Sequence, residues 1–110
     1  MKTLKEMLAE ARQVIPEQGP PELRRRLDAS EPLVLIDVRD PDEYRDGFIE
    51  PATNISRGFL EFRVGAAAAD LSTPIVLYCQ TGLRSMLAAN ALRELGYQNV
   101  VNLQIGRAHV

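Results

Sequence analysis

The only cysteine of the chain, Cys79, stands in the stretch Pro74-Ile75-Val76-Leu77-Tyr78-Cys79-Gln80-Thr81-Gly82-Leu83-Arg84-Ser85. A thiol is a nucleophile only as thiolate, and a free cysteine with a pKa of about 8.5 is mostly protonated at neutral pH. Placement just ahead of a helix N-terminus changes this, because the unpaired backbone N–H groups there favour an anion. Gly82 lets the loop turn back with its amides facing inward as a nest. Arg84 adds a fixed positive charge that can grip a dianion through two nitrogens. Such a loop supports attack of sulfur on an electrophilic sulfur or phosphorus, with the developing charge held by preorganised amides. It equally supports a terminal persulfide anion. A cysteine at the end of a core strand is otherwise a buried structural residue; strand, Cys-x-x-Gly-x-Arg and helix in succession favour the functional reading.

One cysteine closes no internal disulfide and forms no C-x-x-C pair, and with the single His109 it completes no zinc site. No metal or cofactor is expected. Asp37 and Arg39 are read as a structural pair that holds loops at the strand ends, with a supporting role in the site as the alternative. Gln80, Thr81, Gly82, Leu83, Arg84 and Ser85 make the candidate substrate-binding loop, in which Gln80, Thr81 and Leu83 set the width and electrostatics of the mouth. Arg57 and Arg63 are exposed arginines that would extend the anion field only if brought close. His109 is expected to be exposed and without a role.

The elements that must position these residues follow from periodicity. Leu4, Met7, Leu8 and Ala11 recur at helical spacing, so residues 3–14 read as an amphipathic helix ending before Pro16. It packs on the domain or on a second copy of the chain, which would make a homodimer. Residues 1–15 are therefore assigned to this helix and 16–110 to one domain. Gln18-Gly19-Pro20-Pro21 reads as a breaker, with Pro21 in the first turn of a helix to Asp28. Arg24, Arg25 and Arg26 point in different directions around that helix.

The continuous apolar run Leu33-Val34-Leu35-Ile36 reads as a strand covered on both faces. Asp40 as N-cap and Pro41 at the first helical position predict a short helix through Tyr44. Thr53–Ser56 suits a short strand, Gly58–Val64 a short helix with Phe59, Leu60 and Phe62 among its apolar residues, and Gly65 to Ala69 a surface turn or helical remnant. Pro74–Tyr78 is the next strand. Ser85–Leu95 reads as a helix whose face is Met86, Leu87, Ala91, Leu92 and Leu95, stopped by Gly96. Asn99–Leu103 is the last strand. This alternation predicts an α/β domain with a mainly parallel sheet, and ligands of such sheets bind beyond the carboxyl ends of the strands. Cys79 and Asp37 to Arg39 both lie at that edge.

With 110 residues the chain makes one domain, and 45% hydrophobic and 25% charged residues are those of a soluble globular protein. The net charge of −2 draws it neither to nucleic acid nor to anionic lipid. Met1–Arg12 lacks the apolar core of a signal peptide, and no run reaches the roughly 20 apolar residues that span a bilayer. The protein is read as cytoplasmic.

Four pieces in order carry a family resemblance: Leu35-Ile36-Asp37-Val38-Arg39 with Pro41-Asp42-Glu43-Tyr44; Gly47 to Ile55; Ile75 to Cys79 with Gly82, Arg84 and Ser85; and Leu92-Arg93-Glu94-Leu95-Gly96-Tyr97. Together they resemble the rhodanese-like family, the single-domain sulfurtransferases. The resemblance implies a three-layer fold, a five-stranded parallel sheet flanked by helices, with an extra N-terminal helix here and a shortened C-terminus. It implies that Cys79 takes sulfane sulfur from a donor such as thiosulfate, becomes a persulfide, and passes the sulfur to cyanide or a thiol. A protein thiol is an alternative acceptor. The four residues between Cys79 and Arg84 favour sulfur over phosphorus, since the related phosphatases have a longer loop.

The chain departs from the family pattern in three places. Phe48 stands where the family usually has His, Glu50-Pro51 replaces Pro-Gly, and Gln104 to Val110 lacks the second glycine, the Trp and the helix that follows. An interaction or regulatory module with little turnover, or a sulfur relay to a protein partner, is the competing reading.

Overall fold

The computed structural model describes residues 1–105. The expectations for Gly106, Arg107, Ala108, His109 and Val110 lie outside the described residues. In chain order the elements are α1 (Leu4–Val14), β1 (Glu17–Gln18), α2 (Pro20–Asp28), β2 (Val34–Asp37), α3 (Pro41–Asp46) and β3 (Thr53–Asn54). A 3-10 turn at Arg57–Phe59 then leads into α4 (Leu60–Ala67), β4 (Ile75–Tyr78), α5 (Leu83–Leu95) and β5 (Val100–Leu103). The five strands form one sheet in the order β1-β5-β4-β2-β3, with every neighbouring pair parallel.

The central strands β2 and β4 are the apolar runs, and in β4 all four residues are buried. Side chains alternate across a strand, so each face of the sheet builds its own core. Ile36, Val38, Ile75, Leu77 and Cys79 pack with Leu8, Ala11, Leu60, Val64, Ala88 and Leu92, on the side of α1, α4 and α5. Leu35, Val76, Tyr78 and Leu103 pack with Leu23 of α2 and Ala52 on the other. Truncating one of the fully buried leucines to Ala costs about 2–5 kcal/mol. The sequential neighbours Tyr78 and Cys79 therefore belong to opposite layers.

Several local expectations shift. In α1, Thr3 and Glu6 form the capping box, the Glu6 N–H donating to Thr3 Oγ1 at 3.1 Å. Of its expected stripe only Leu8 and Ala11 are buried; Leu4 and Met7 face outward, and Ile15 takes the inward place beyond the helix end. α2 begins at Pro20, with both prolines in its first turn. β1 falls where a breaker was expected. It is two residues long and exists because Asn102 N–H donates to Pro16 O at 3.0 Å and Gln104 N–H to Gln18 O at 2.8 Å.

α4 runs on through Gly65 to Ala67, buries Leu60 and Val64 one turn apart, and leaves Phe59 and Phe62 exposed. α5 starts two residues before the expected Ser85. It lies against the sheet and against α1, so Ala88 and Ala89 are buried beside Met86 and Leu92, and Leu95 is exposed. Among the described residues no helix is long and apolar enough to cross a membrane.

Candidate active site

β4 ends at Tyr78, and the loop from Cys79 to Gly82 hands the chain to α5. Gly82 occupies the N-cap with φ +87°, a left-handed conformation that glycine adopts without strain. A side chain there would also meet Gln104, whose carboxamide lies 3.1 Å from an added Cβ. The turn aims its donors at the thiol. Gly82 N–H donates to Cys79 Sγ at 3.1 Å, and the Ser85 N–H and hydroxyl each lie 3.4 Å from it.

Burial by itself pushes the Cys79 thiol up. Hydrogen bonds from the Ser85 hydroxyl, then from the Ser85, Thr81 and Gly82 amides, outweigh it and hold the thiol below its ordinary value. Gln80 and Thr81 are exposed, and Leu83 is 42% exposed.

Arg84 is placed differently from the expected anion grip. Its Nη1 and Nη2 donate to the two carboxylate oxygens of Glu43 at 3.0 and 3.1 Å. Glu43 also accepts the Asp40 N–H at 3.0 Å. The Arg84 hydrogen bonds first, then that amide, pull the Glu43 carboxyl down to about 2. Arg84 thus joins α5 to the first turn of α3, and its charge is shared before any ligand arrives.

Asp37 is fully buried and receives Arg39 from three directions: the backbone N–H at 2.9 Å, Nε at 3.0 and 3.1 Å, and Nη2 at 2.7 Å. The same Nη2 donates to Gly47 O at 2.6 Å. Tyr78 supports that turn from beneath. Its ring lies 5.8 Å below the Arg39 guanidinium, and its hydroxyl accepts the Ile49 N–H at 3.0 Å. Burial pushes the Tyr78 phenol up to about 12. Asp37, Arg39 and Tyr78 therefore hold the Gly47 to Ile49 turn.

That turn walls a depression of about 330 Å³ that opens on Cys79 and is lined also by Arg39, Phe48, Ile49, Tyr78, Gln80 and Ile105. Phe48 stacks on Tyr44, ring centroids 4.1 Å apart and planes inclined by 16°. Tyr44 in turn donates its hydroxyl to Ala52 O at 2.8 Å. The Glu50–Pro51 peptide is cis. Arg57 pairs with Glu61, and Arg63 lies over the Phe59 ring, so neither lines this depression. A larger cavity of about 570 Å³ lies at the other end of the strands, by Ile75 and Val100.

Sequence reasoning passed over Asn102, which is fully buried behind the loop. It accepts from Ser85 Oγ at 2.5 Å and donates to Glu17 Oε2 at 3.1 Å and Gly82 O at 3.2 Å. The available signal was a carboxamide in an otherwise apolar last strand, two residues from Val100 and so on the same face.

The family model of the rhodanese-like domain matches residues 19–108. The probable adenylyltransferase/sulfurtransferase MoeZ of Mycobacterium tuberculosis is 40% identical over 87 residues, 79% of this chain and 22% of that protein. The chain thus spans about a fifth of the length of that relative. A human single-domain sulfurtransferase, TSTD1, superposes with a TM-score of 0.72 at 34% identity, covering 83% of this chain and 89% of that one. A Rhodopseudomonas palustris protein described as a possible tyrosine phosphatase superposes with a TM-score of 0.84 at 30% identity, covering 94% and 85%.

Proposed function

The chain belongs to the rhodanese-like domain family, and from that premise we propose that it is a sulfurtransferase working through a Cys79 persulfide. The Cys79 thiolate attacks the outer sulfur of thiosulfate, the sulfur–sulfur bond of the donor breaks, and sulfite leaves with the electron pair. An organic persulfide donor reacts in the same way, a thiolate leaving in place of sulfite. A thiol or cyanide then attacks the terminal sulfur, and Cys79 leaves as thiolate, ready for another cycle. The negative charge stays among the inward-facing amides throughout. The supporting observation is the convergence of Gly82 N–H, Ser85 N–H and the Ser85 hydroxyl on Cys79 Sγ. A lone thiol of this kind works where it is kept reduced, and we place the reaction in the cytoplasm.

Intact mass after incubation with thiosulfate tests the proposal. Addition of one sulfur atom to the protein, absent in Cys79→Ser, is the expected result. No addition, or one that survives the substitution, would overturn it.

Phosphoryl transfer fits less well, because the four residues from Cys79 to Arg84 make a narrow loop and Arg84 is engaged by Glu43. A sulfur relay to a protein thiol is favoured by one observation, the half-exposed apolar Phe48 beside the Cys79 depression and Leu83 on the loop. Transfer of labelled sulfur from persulfidated protein to a thiol-bearing polypeptide faster than to cyanide supports the relay; the reverse order removes it.

A further inference from the structure

The hydrogen-bond inventory around Asn102 fixes where the Ser85 hydroxyl hydrogen lies. Nδ2 of Asn102 donates to a carboxylate oxygen of Glu17 and to the carbonyl of Gly82, neither of which can donate back. The carboxamide is therefore oriented with Oδ1 toward Ser85, 2.5 Å from Oγ. Oδ1 has only lone pairs, so the contact requires the Ser85 hydrogen to point at Asn102. Ser85 has one such hydrogen, and the same Oγ lies 3.4 Å from Cys79 Sγ. Two acceptors face one donor.

As a thiol, Cys79 satisfies this arrangement by donating its own S–H to the free lone pairs of Ser85, with the Ser85 hydrogen passed on to Asn102. When the thiol proton departs to water, the sulfur becomes a charged acceptor, and a hydrogen bond to a charged group is about twice as strong as a neutral one. The Ser85 O–H then turns to the sulfur and leaves Asn102 Oδ1, in a fully buried position, without its donor. We infer that Asn102 is a positioning residue that competes with Cys79 for the Ser85 hydroxyl hydrogen, and so sets how readily the nucleophile ionises.

The competition opposes ionisation, whereas the Gly82 and Ser85 amides promote it. A balance has a chemical use: the intrinsic nucleophilicity of a thiolate falls as its thiol becomes more acidic, and attack is fastest when the pKa lies near the ambient pH. Other charges around the loop are already matched. Arg84 of α5 holds Glu43 of α3, Arg39 holds Asp37 beside the depression, Tyr78 is engaged by Ile49, and Glu17 of β1 accepts from Asn102.

The inference rests on Cys79 being the nucleophile but not on any sulfur donor, so it is tested without one. Titration of the thiolate by its ultraviolet absorbance should show Asn102→Ala moving the Cys79 pKa down by about one unit, the freed hydroxyl now serving sulfur alone. Alkylation at pH 6 should then quicken roughly threefold, a tenfold gain in thiolate set against its lower nucleophilicity. Ser85→Ala should move the pKa up, and Asn102→Ala added to it should change nothing further. A purely structural Asn102 would lower stability and leave the pKa unmoved or raised, which overturns the inference.

Should Asn102→Ala not fold, the wild-type protein decides. The side-chain carbonyl carbon of Asn102, followed by nuclear magnetic resonance, should shift with the pKa of Cys79. A carbonyl that ignores the titration overturns the inference equally. Failure of persulfide formation, by contrast, would leave both readouts intact and strike only the sulfur-transfer reading.

Discussion

The guanidinium of Arg84 lies against the carboxylate of Glu43, at 3.0 and 3.1 Å, rather than over the sulfur of Cys79. The charge that favours the thiolate therefore comes from backbone amides and one hydroxyl, and the arginine acts chiefly as a brace between α5 and α3. A brace and an electrostatic partner respond differently to substitution.

Cys79 should alkylate at pH 6 faster than a cysteine in an unstructured peptide, because hydrogen bonds hold its pKa below the ordinary thiol value despite burial. Ser85→Ala should slow the reaction severalfold, since it removes the leading opposing hydrogen bond, and Arg84→Ala should slow it less. The pH dependence of the rate for each variant checks the order. The folded pKa is depressed, so the ionised thiol contributes stability that is complete above about pH 9 and is lost as pH falls through the folded value. Cys79→Ser should lack that part of the stability profile.

Glu43→Gln should weaken the brace by about 1 kcal/mol at neutral pH, the magnitude of a partly exposed ion pair. The Glu43 carboxyl is held at about 2 against 4.5. Its contribution is thus fully present above pH 4.5 and disappears between pH 4.5 and 2. Urea midpoints of wild type and variant should differ at pH 7 and converge in that acidic window.

Arg39→Ala strips the fully buried Asp37 carboxylate of its guanidinium while leaving the backbone N–H of residue 39, and should cost about 3–5 kcal/mol. Replacing both members by apolar residues, Asp37→Leu with Arg39→Met, should recover much of that loss. Equal destabilisation of single and double variants in denaturant titrations would show that the pair is not an isolated electrostatic unit.

Phe48→Ala removes an aromatic stack worth about 0.5–1.5 kcal/mol. It also widens the depression over Cys79. The expected signature is a change in KM for bulky thiol acceptors with an unaltered rate of alkylation of Cys79 by a small reagent. A changed alkylation rate would mean that the stack acts on the thiol itself.

How much of this was legible in the chain depends on the range of the signal. The strands β2 and β4 and the helix after them were written locally, as apolar runs and a helical face. Cys79 with Gly82 and Ser85 was readable because a strand, a turn and a helix N-terminus are adjacent in sequence. Glu43 lies 41 residues from Arg84, and nothing local marks the two as partners. Asn102 looked like one polar residue in a short strand; its role arises only when β5 is laid beside β1 and the loop. β1 itself is two residues long and is made by its neighbour's hydrogen bonds. The outward turn of Phe62 follows from which turn of α4 meets the core, a tertiary outcome.

The alternation of β4, which sends Tyr78 and Cys79 into opposite layers, divides responsibility within the domain. Reactivity is governed from the α5 side, by Gly82, Ser85 and Asn102. Admission is governed from the other side, where Tyr78 and Arg39 carry the turn bearing Phe48. Under the proposed sulfur transfer, the entrance can be rebuilt for another donor or acceptor while the thiol behind it stays as it is.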